Sequence, residues 1–125
     1  MNSPTQTDWK SLQVDLISLK SSTFVGVLVG VGSIILHFSN GSSVLVQCPF
    51  EVFDGASSKA GHGEAPASSL LLFGLLNGRV DDASIDAKGR ITFQFGASSS
   101  IRIVPDGSGY ESYVLRTSKG TSPVY

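Results

Sequence analysis

One stretch of this chain recurs 57 residues further on, and that recurrence constrains the fold more than any other feature. Gly32-Ser-Ile34-Ile-Leu36-His-Phe38, Ser39-Asn-Gly-Ser-Ser43 and Val44-Leu-Val46-Gln-Cys48 align with Gly89-Arg-Ile91-Thr-Phe93-Gln-Phe95, Gly96-Ala-Ser-Ser-Ser100 and Ile101-Arg-Ile103-Val-Pro105. Ile34, Leu36 and Phe38 match Ile91, Phe93 and Phe95, and Val44 and Val46 match Ile101 and Ile103. Each apolar set has period two, as a strand with one buried face requires. Five small, turn-forming residues separate the runs, so each copy predicts a β-hairpin. Asn40-Gly41 is a turn signal because both residue types tolerate positive φ.

The alignment extends backwards, with Val27, Leu28 and Gly32 opposite Ser84, Ile85 and Gly89. Each copy therefore predicts an extra strand, about 23–29 and 79–86, and so a three-stranded meander. A helical segment precedes each meander. Trp9, Leu12, Leu16 and Leu19 recur at steps of three and four behind Asp8 as N-cap, although Leu12, Val14 and Leu16 also alternate as a strand would. Ala67 to Leu76 is a dense apolar run, predicted to be buried on most sides. Pro66 stands at its start, Ser68 or Ser69 as its cap and Asn77-Gly78 as its stop. Residues 54–66 read as a long mobile loop. Tyr110 to Leu115 reads as another strand, and 118–125 as a short final one.

The expected fold is α+β, mainly antiparallel β. Two repeated units, each a helix with a three-stranded meander (about 9–53 and 67–115), pack with pseudo-twofold symmetry in a single domain, 1–125.

Composition narrows the function by exclusion. Lys+Arg is 9 and Asp+Glu is 10, a net charge of -1, which argues against phosphate neutralisation of a nucleic acid and against polybasic membrane binding. Charged residues are only 15%, so Ser, Gly and Thr must cover much of the surface. Met1 to Asp8 is polar and does not read as a signal peptide. The apolar run Phe24 to Phe38 is broken by Gly26, Gly30, Gly32 and Ser33, and reads as two buried strands rather than a membrane span. A lone Cys48 in an apolar stretch fits a reducing cytoplasm, without a disulfide framework or a structural zinc site.

The second half also carries a family pattern. Leu72-Phe-Gly-Leu-Leu-Asn-Gly78 leads into Gly89-Arg-Ile-Thr-Phe93-Gln-Phe95, then Pro105-Asp106 and Tyr110-Glu111-Ser-Tyr113-Val-Leu115. This run resembles a family of small bacterial domains of unknown function with a Leu-rich segment ending in Gly, a Gly-Xaa-Leu-Xaa-Leu-Xaa-Phe strand and a Pro-Asp…Tyr-Glu-Xaa-Trp-Xaa-Leu ending. Tyr113 stands where the family has Trp, and the family's Gly-rich C-terminal ending is missing. Similar domains occur beside bacterial polymorphic toxins as immunity proteins, and that is the role the resemblance implies.

Gly26-Val-Leu-Val-Gly30-Val-Gly32 lacks the Lys-Ser/Thr of a phosphate loop and the third glycine of a dinucleotide fingerprint. His62-Gly-Glu64 lacks the paired cysteines of a zinc deaminase. His37 alternates with Leu36 and Phe38 and should face away from the core. Asp81-Asp82 and Asp86, near Arg79 and Lys88, read as solvated charges rather than an acid–base pair. Tyr110 and Tyr113 read as packing at a sheet edge, or as a partner surface.

No catalytic, cofactor or metal residues are assigned. The expected function is a non-enzymatic, cytoplasmic, protein-binding domain, most concretely an immunity protein that neutralises a bacterial toxin by direct binding. Glu64, Asp81, Asp82, Glu111 and Tyr113 are its candidate contacts, and no nucleic acid or membrane takes part. A small-ligand-binding or enzymatic β domain with a pocket between the meanders is one alternative. A structural or oligomerising domain that joins copies through a strand edge is another.

Overall fold

The computed structural model describes residues 9–107 and 111–125. Among the described residues, one α-helix, α1 (Trp9–Ile17), and one 3-10 helix (Pro66–Leu75) accompany ten strands. The strands are β1 (Phe24–Gly30), β2 (Ser33–Phe38), β3 (Ser43–Val46), β4 (Pro49–Asp54), β5 (Ser57–His62), β6 (Asp82–Ile85), β7 (Ile91–Phe95), β8 (Ser99–Ile103), β9 (Tyr113–Thr117) and β10 (Gly120–Val124). They form two five-stranded sheets, ordered β1-β2-β3-β9-β10 and β5-β4-β8-β7-β6, with every pairing antiparallel. The fold is thus mostly antiparallel β with little helix.

Alternation decides which side chains meet. Ile34 faces Val46 and Leu36 faces Val44 across one hairpin; Ile91 faces Ile103 and Phe93 faces Ile101 across the other. All eight are buried and belong to one core fed by both sheets. The Phe38 and Phe93 rings, one from each sheet, lie 5.2 Å apart between centroids, and those of Phe24 and Phe95 lie 6.0 Å apart.

The meanders β1-β2-β3 and β6-β7-β8 run as the sequence predicts, but the chain does more after each one. It crosses to the opposite sheet, so that β3 pairs with β9 and β8 pairs with β4. Phe50 of β4 faces Ile103 as Tyr113 of β9 faces Val46. Residues 54–66 are therefore not one long loop. Ser57–His62 pairs along β4 as β5, because Gly55 and Ala56 close a tight turn, with Gly55 at positive φ, and let the polar run lie on a sheet edge.

The offset between the two first strands also differs from the sequence alignment. Val27 faces Leu36, whereas Ala83, not Ser84, faces Phe93. The cause is turn length. Gly30 faces Ser33 across two residues, while the Asp86 N–H reaches the Arg90 carbonyl across three, with Gly89 at φ 79° in the last of them.

α1 buries Leu12 and Leu16, with Leu19 just beyond it, so the helical spacing prevails over the strand-like alternation. The second helical segment is 3-10 rather than α. Side chains three apart eclipse in such a helix. Leu72 and Leu75 turn inward, and Leu70, Phe73 and Leu76 form an exposed apolar ridge, so the run is not buried on most sides. Neither serine caps it: Ala65 occupies the cap position, Ser69 Oγ donates to the Pro66 carbonyl, and Ser68 Oγ accepts the His62 N–H. Asp8 and Tyr110 lie outside the described residues.

Where the halves meet, Thr23 and Arg79 form an isolated antiparallel bridge. Reciprocal bonds flank it. The Ser21 N–H donates to the Val80 carbonyl and the Val80 N–H to the Ser22 carbonyl; the Asn77 N–H donates to the Phe24 carbonyl and the Phe24 N–H to the Gly78 carbonyl. No helix among the described residues is long and apolar enough to cross a membrane.

Candidate functional site

In a strand flanked by core positions, the residue between them faces outward. In the second sheet these residues are polar or small. Ser84, Thr92, Arg102, Glu51 and Ala60 face one another in register across all five strands. The equivalent row of the first sheet is Leu28, Ile35, Leu45, Val114 and Pro123, apolar from edge to edge. Leu28 is 56% exposed, and Val114 is buried although it stands outside the core cluster. A polar row, His37, Ser43, Arg116 and Thr121, runs alongside, with His37 exposed as its alternation predicts.

The five contacts named from the sequence do not converge. Glu64 follows β5 at one edge of the second sheet, while Asp81 and Asp82 stand at β6, the opposite edge. Glu111 precedes β9 of the first sheet. These four carboxylates are exposed. Tyr113 is a correction, since it is fully buried, and its hydroxyl donates to the Gly89 carbonyl at 2.8 Å. It faces inward between the sheets, so it presents nothing to a partner.

Each charged motif has a local role. His62 Nδ1 accepts the Glu64 N–H at 3.1 Å and lies 3.8 Å from Glu64 Oε1, which makes a turn. Burial acts to raise the Asp86 carboxyl, but the Arg90 and Lys88 N–H groups and the Arg90 guanidinium, at 2.6 Å, outweigh it and hold it below its ordinary value. Asp81 Oδ2 accepts the Gly96 N–H. Among the described residues no three His, Cys, Asp or Glu side chains are grouped to hold a metal ion. Burial, with Asp106 adding to it, pushes the Cys48 thiol up to about 12, so it is protonated and unreactive at neutral pH.

The space between the meanders is filled. The gap bounded by Ile34, Leu36, Val46, Phe50, Leu72 and Ile103 has no room for a water. An open groove of about 540 Å³ lies instead between the 3-10 helix and strands β4, β5 and β8, lined among others by Val52, Asp54, Lys59, Leu71 and Leu75.

The outward row had a sequence signal. Ile34-Ile-Leu36, Val44-Leu-Val46 and Tyr113-Val-Leu115 are unbroken apolar runs where Thr92 and Arg102 keep the alternation in the other copy. Compared with protein-family models, curated proteins and solved structures, the chain matches none.

Proposed function

We propose that this chain is a non-enzymatic protein-binding domain that neutralises a bacterial toxin domain by direct contact, as an immunity protein does. The observation that carries the reading is the apolar row Leu28-Ile35-Leu45-Val114-Pro123, set against its polar counterpart on the second sheet. A contiguous apolar stripe rimmed by polar residues is the usual form of a protein contact. The toxin itself comes from the family resemblance of the second half. The exposed carboxylates Glu64, Asp81, Asp82 and Glu111, spread over both sheets, then steer a basic partner at long range. The reading goes with a cytoplasmic protein.

The fold has a matching interpretation. The two halves are copies of one helix-and-strand unit, related by a pseudo-twofold axis near the Thr23–Arg79 bridge. The reciprocal bonds at Ser21/Val80 and Phe24/Gly78 support it, as do the equal registers of the two hairpins.

The test is co-expression with a toxin domain, sought first in the gene beside this one. The wild type restores growth and co-purifies with the toxin. Leu45→Lys loses both, and Thr92→Lys, the same position on the second sheet, keeps both. Full toxicity with folded wild-type protein present overturns the reading.

A further inference from the structure

A sheet with free edges must keep them from pairing with other chains. Among the described residues, three of the four edges carry a bonded side chain, a proline or a lysine as guard. On β6, the Gln13 side chain takes the place of a neighbouring strand, with Nε2 donating to the Ala83 carbonyl at 3.2 Å and Oε1 accepting the Ile85 N–H at 3.0 Å. β10 carries Pro123, and β5 carries an exposed Lys59.

β1 has no guard. Val27 and Val29 face Leu36 and Ile34 as Ala83 and Ile85 face Phe93 and Ile91, so their backbone groups point to the open edge in the same way. Among the described residues no side chain takes up the Val27 carbonyl or the Val29 N–H. Segment 77–79 pairs with the edge at Thr23 and Phe24, and the 3-10 helix before it also packs close to β1. From Val25 to Val31 there is no charge and no proline, and Val25, Leu28, Val29 and Val31 are exposed, Val31 completely.

The open segment, Val25-Gly-Val-Leu28-Val-Gly-Val31, reads the same in both directions. We propose that β1 pairs antiparallel with β1 of a second copy of this chain, about a twofold axis at Leu28. In that register Val27 and Val29 exchange backbone hydrogen bonds with Val29 and Val27 of the copy. Gly26 meets Gly30, and the pairing ends there, since Val25 sits at the bulge and Val31 in the turn. The pairing is reciprocal, each residue meeting a partner that meets it in return, as a closed two-fold interface requires. Leu28 meets Leu28 as a non-hydrogen-bonded pair, with Cβ atoms about 4.5–5.5 Å apart. The two five-stranded sheets become one of ten strands, and their outward apolar rows join end to end. The backbone pairing at Phe24 lies beyond this stretch and is left intact.

Sedimentation at tens of micromolar tests the state, and cysteine cross-linking tests the register. The wild type sediments at twice its 13.1 kDa. Leu28→Lys, which sets two cations against each other at the axis, sediments as a monomer, and Ser84→Lys on the second sheet remains a dimer. Leu28→Cys cross-links under mild oxidation without denaturant, since Cys48 is buried and takes no part. Val31→Cys does not, because in this register the two copies of residue 31 lie roughly 20 Å apart. A monomeric wild type overturns the proposal and leaves the edge to a strand of another protein. A dimer that survives Leu28→Lys, or that cross-links through residue 31 rather than 28, overturns it as well. The dimer and the toxin contact fail separately, since one is read without any toxin present.

Discussion

The Tyr113 hydroxyl donates to the Gly89 carbonyl at 2.8 Å, and this bond ties β9 of the first sheet to the β6–β7 turn of the second. Gly89 holds positive φ there and is itself buried, so its carbonyl has no water to turn to. Tyr113→Phe keeps the ring and strands that carbonyl, and costs roughly 1–3 kcal/mol. Tyr113→Ala also opens a cavity and costs roughly 3–5 kcal/mol. Urea unfolding of the two variants measures both.

Gln13 is the second such tie, between α1 and the edge of β6. Gln13→Leu preserves helix propensity and loses both bonds, at a cost of roughly 1–2 kcal/mol. The Ile85 amide then exchanges its hydrogen faster than the amides of β7, which hydrogen exchange resolves.

Gly63 leaves no space for a side chain. A Cβ there would stand 2.1 Å from the Val46 carbonyl oxygen, and that contact is backbone. The Gly63 N–H also donates to the Cys48 carbonyl at 2.9 Å, so the hairpin end cannot swing away without breaking a bond. Gly63→Ala destabilises by roughly 1–3 kcal/mol in thermal or urea unfolding, the cost of overpacking.

The Cys48 thiol gives a pH dependence with a definite sign. Its ordinary value is 9.0 and burial raises it to about 12 in the fold. Below pH 9 both states are protonated and the contribution is full. Between 9 and 12 only the unfolded chain ionises, so stability falls as pH rises, by at most about 1.4 kcal/mol per unit. Burial raises Tyr113 from 10.0 as well, which steepens the fall above pH 10. Cys48→Ala flattens the curve between pH 9 and 10, and Tyr113→Phe removes the added slope beyond it. In the native protein at pH 8 a thiol reagent leaves Cys48 unlabelled, and labelling follows unfolding.

The hairpins were legible because Ile34, Leu36, Val44 and Val46 alternate and recur as Ile91, Phe93, Ile101 and Ile103. β5 was not, because an edge strand of Ser, Lys, Ala and Gly buries little and leaves no periodic trace. The inward turn of Tyr113 was hidden for another reason. Val114 beside it is apolar too, so alternation did not say which of the two faces the core. The carboxylates were correctly read as exposed, but their separation follows from β5 and β6 lying at opposite edges of one sheet, a fact of topology that spacing along the chain does not carry.

The crossing of β4 into the second sheet and of β9 into the first has a consequence for any attempt to divide the molecule. A cut near residue 64 leaves each fragment with a three-stranded piece whose missing neighbour sits on the other fragment. Neither half is a smaller version of the whole. Made separately, each fragment would expose the strand edge that the other covers, so the native sheets form only where both are present.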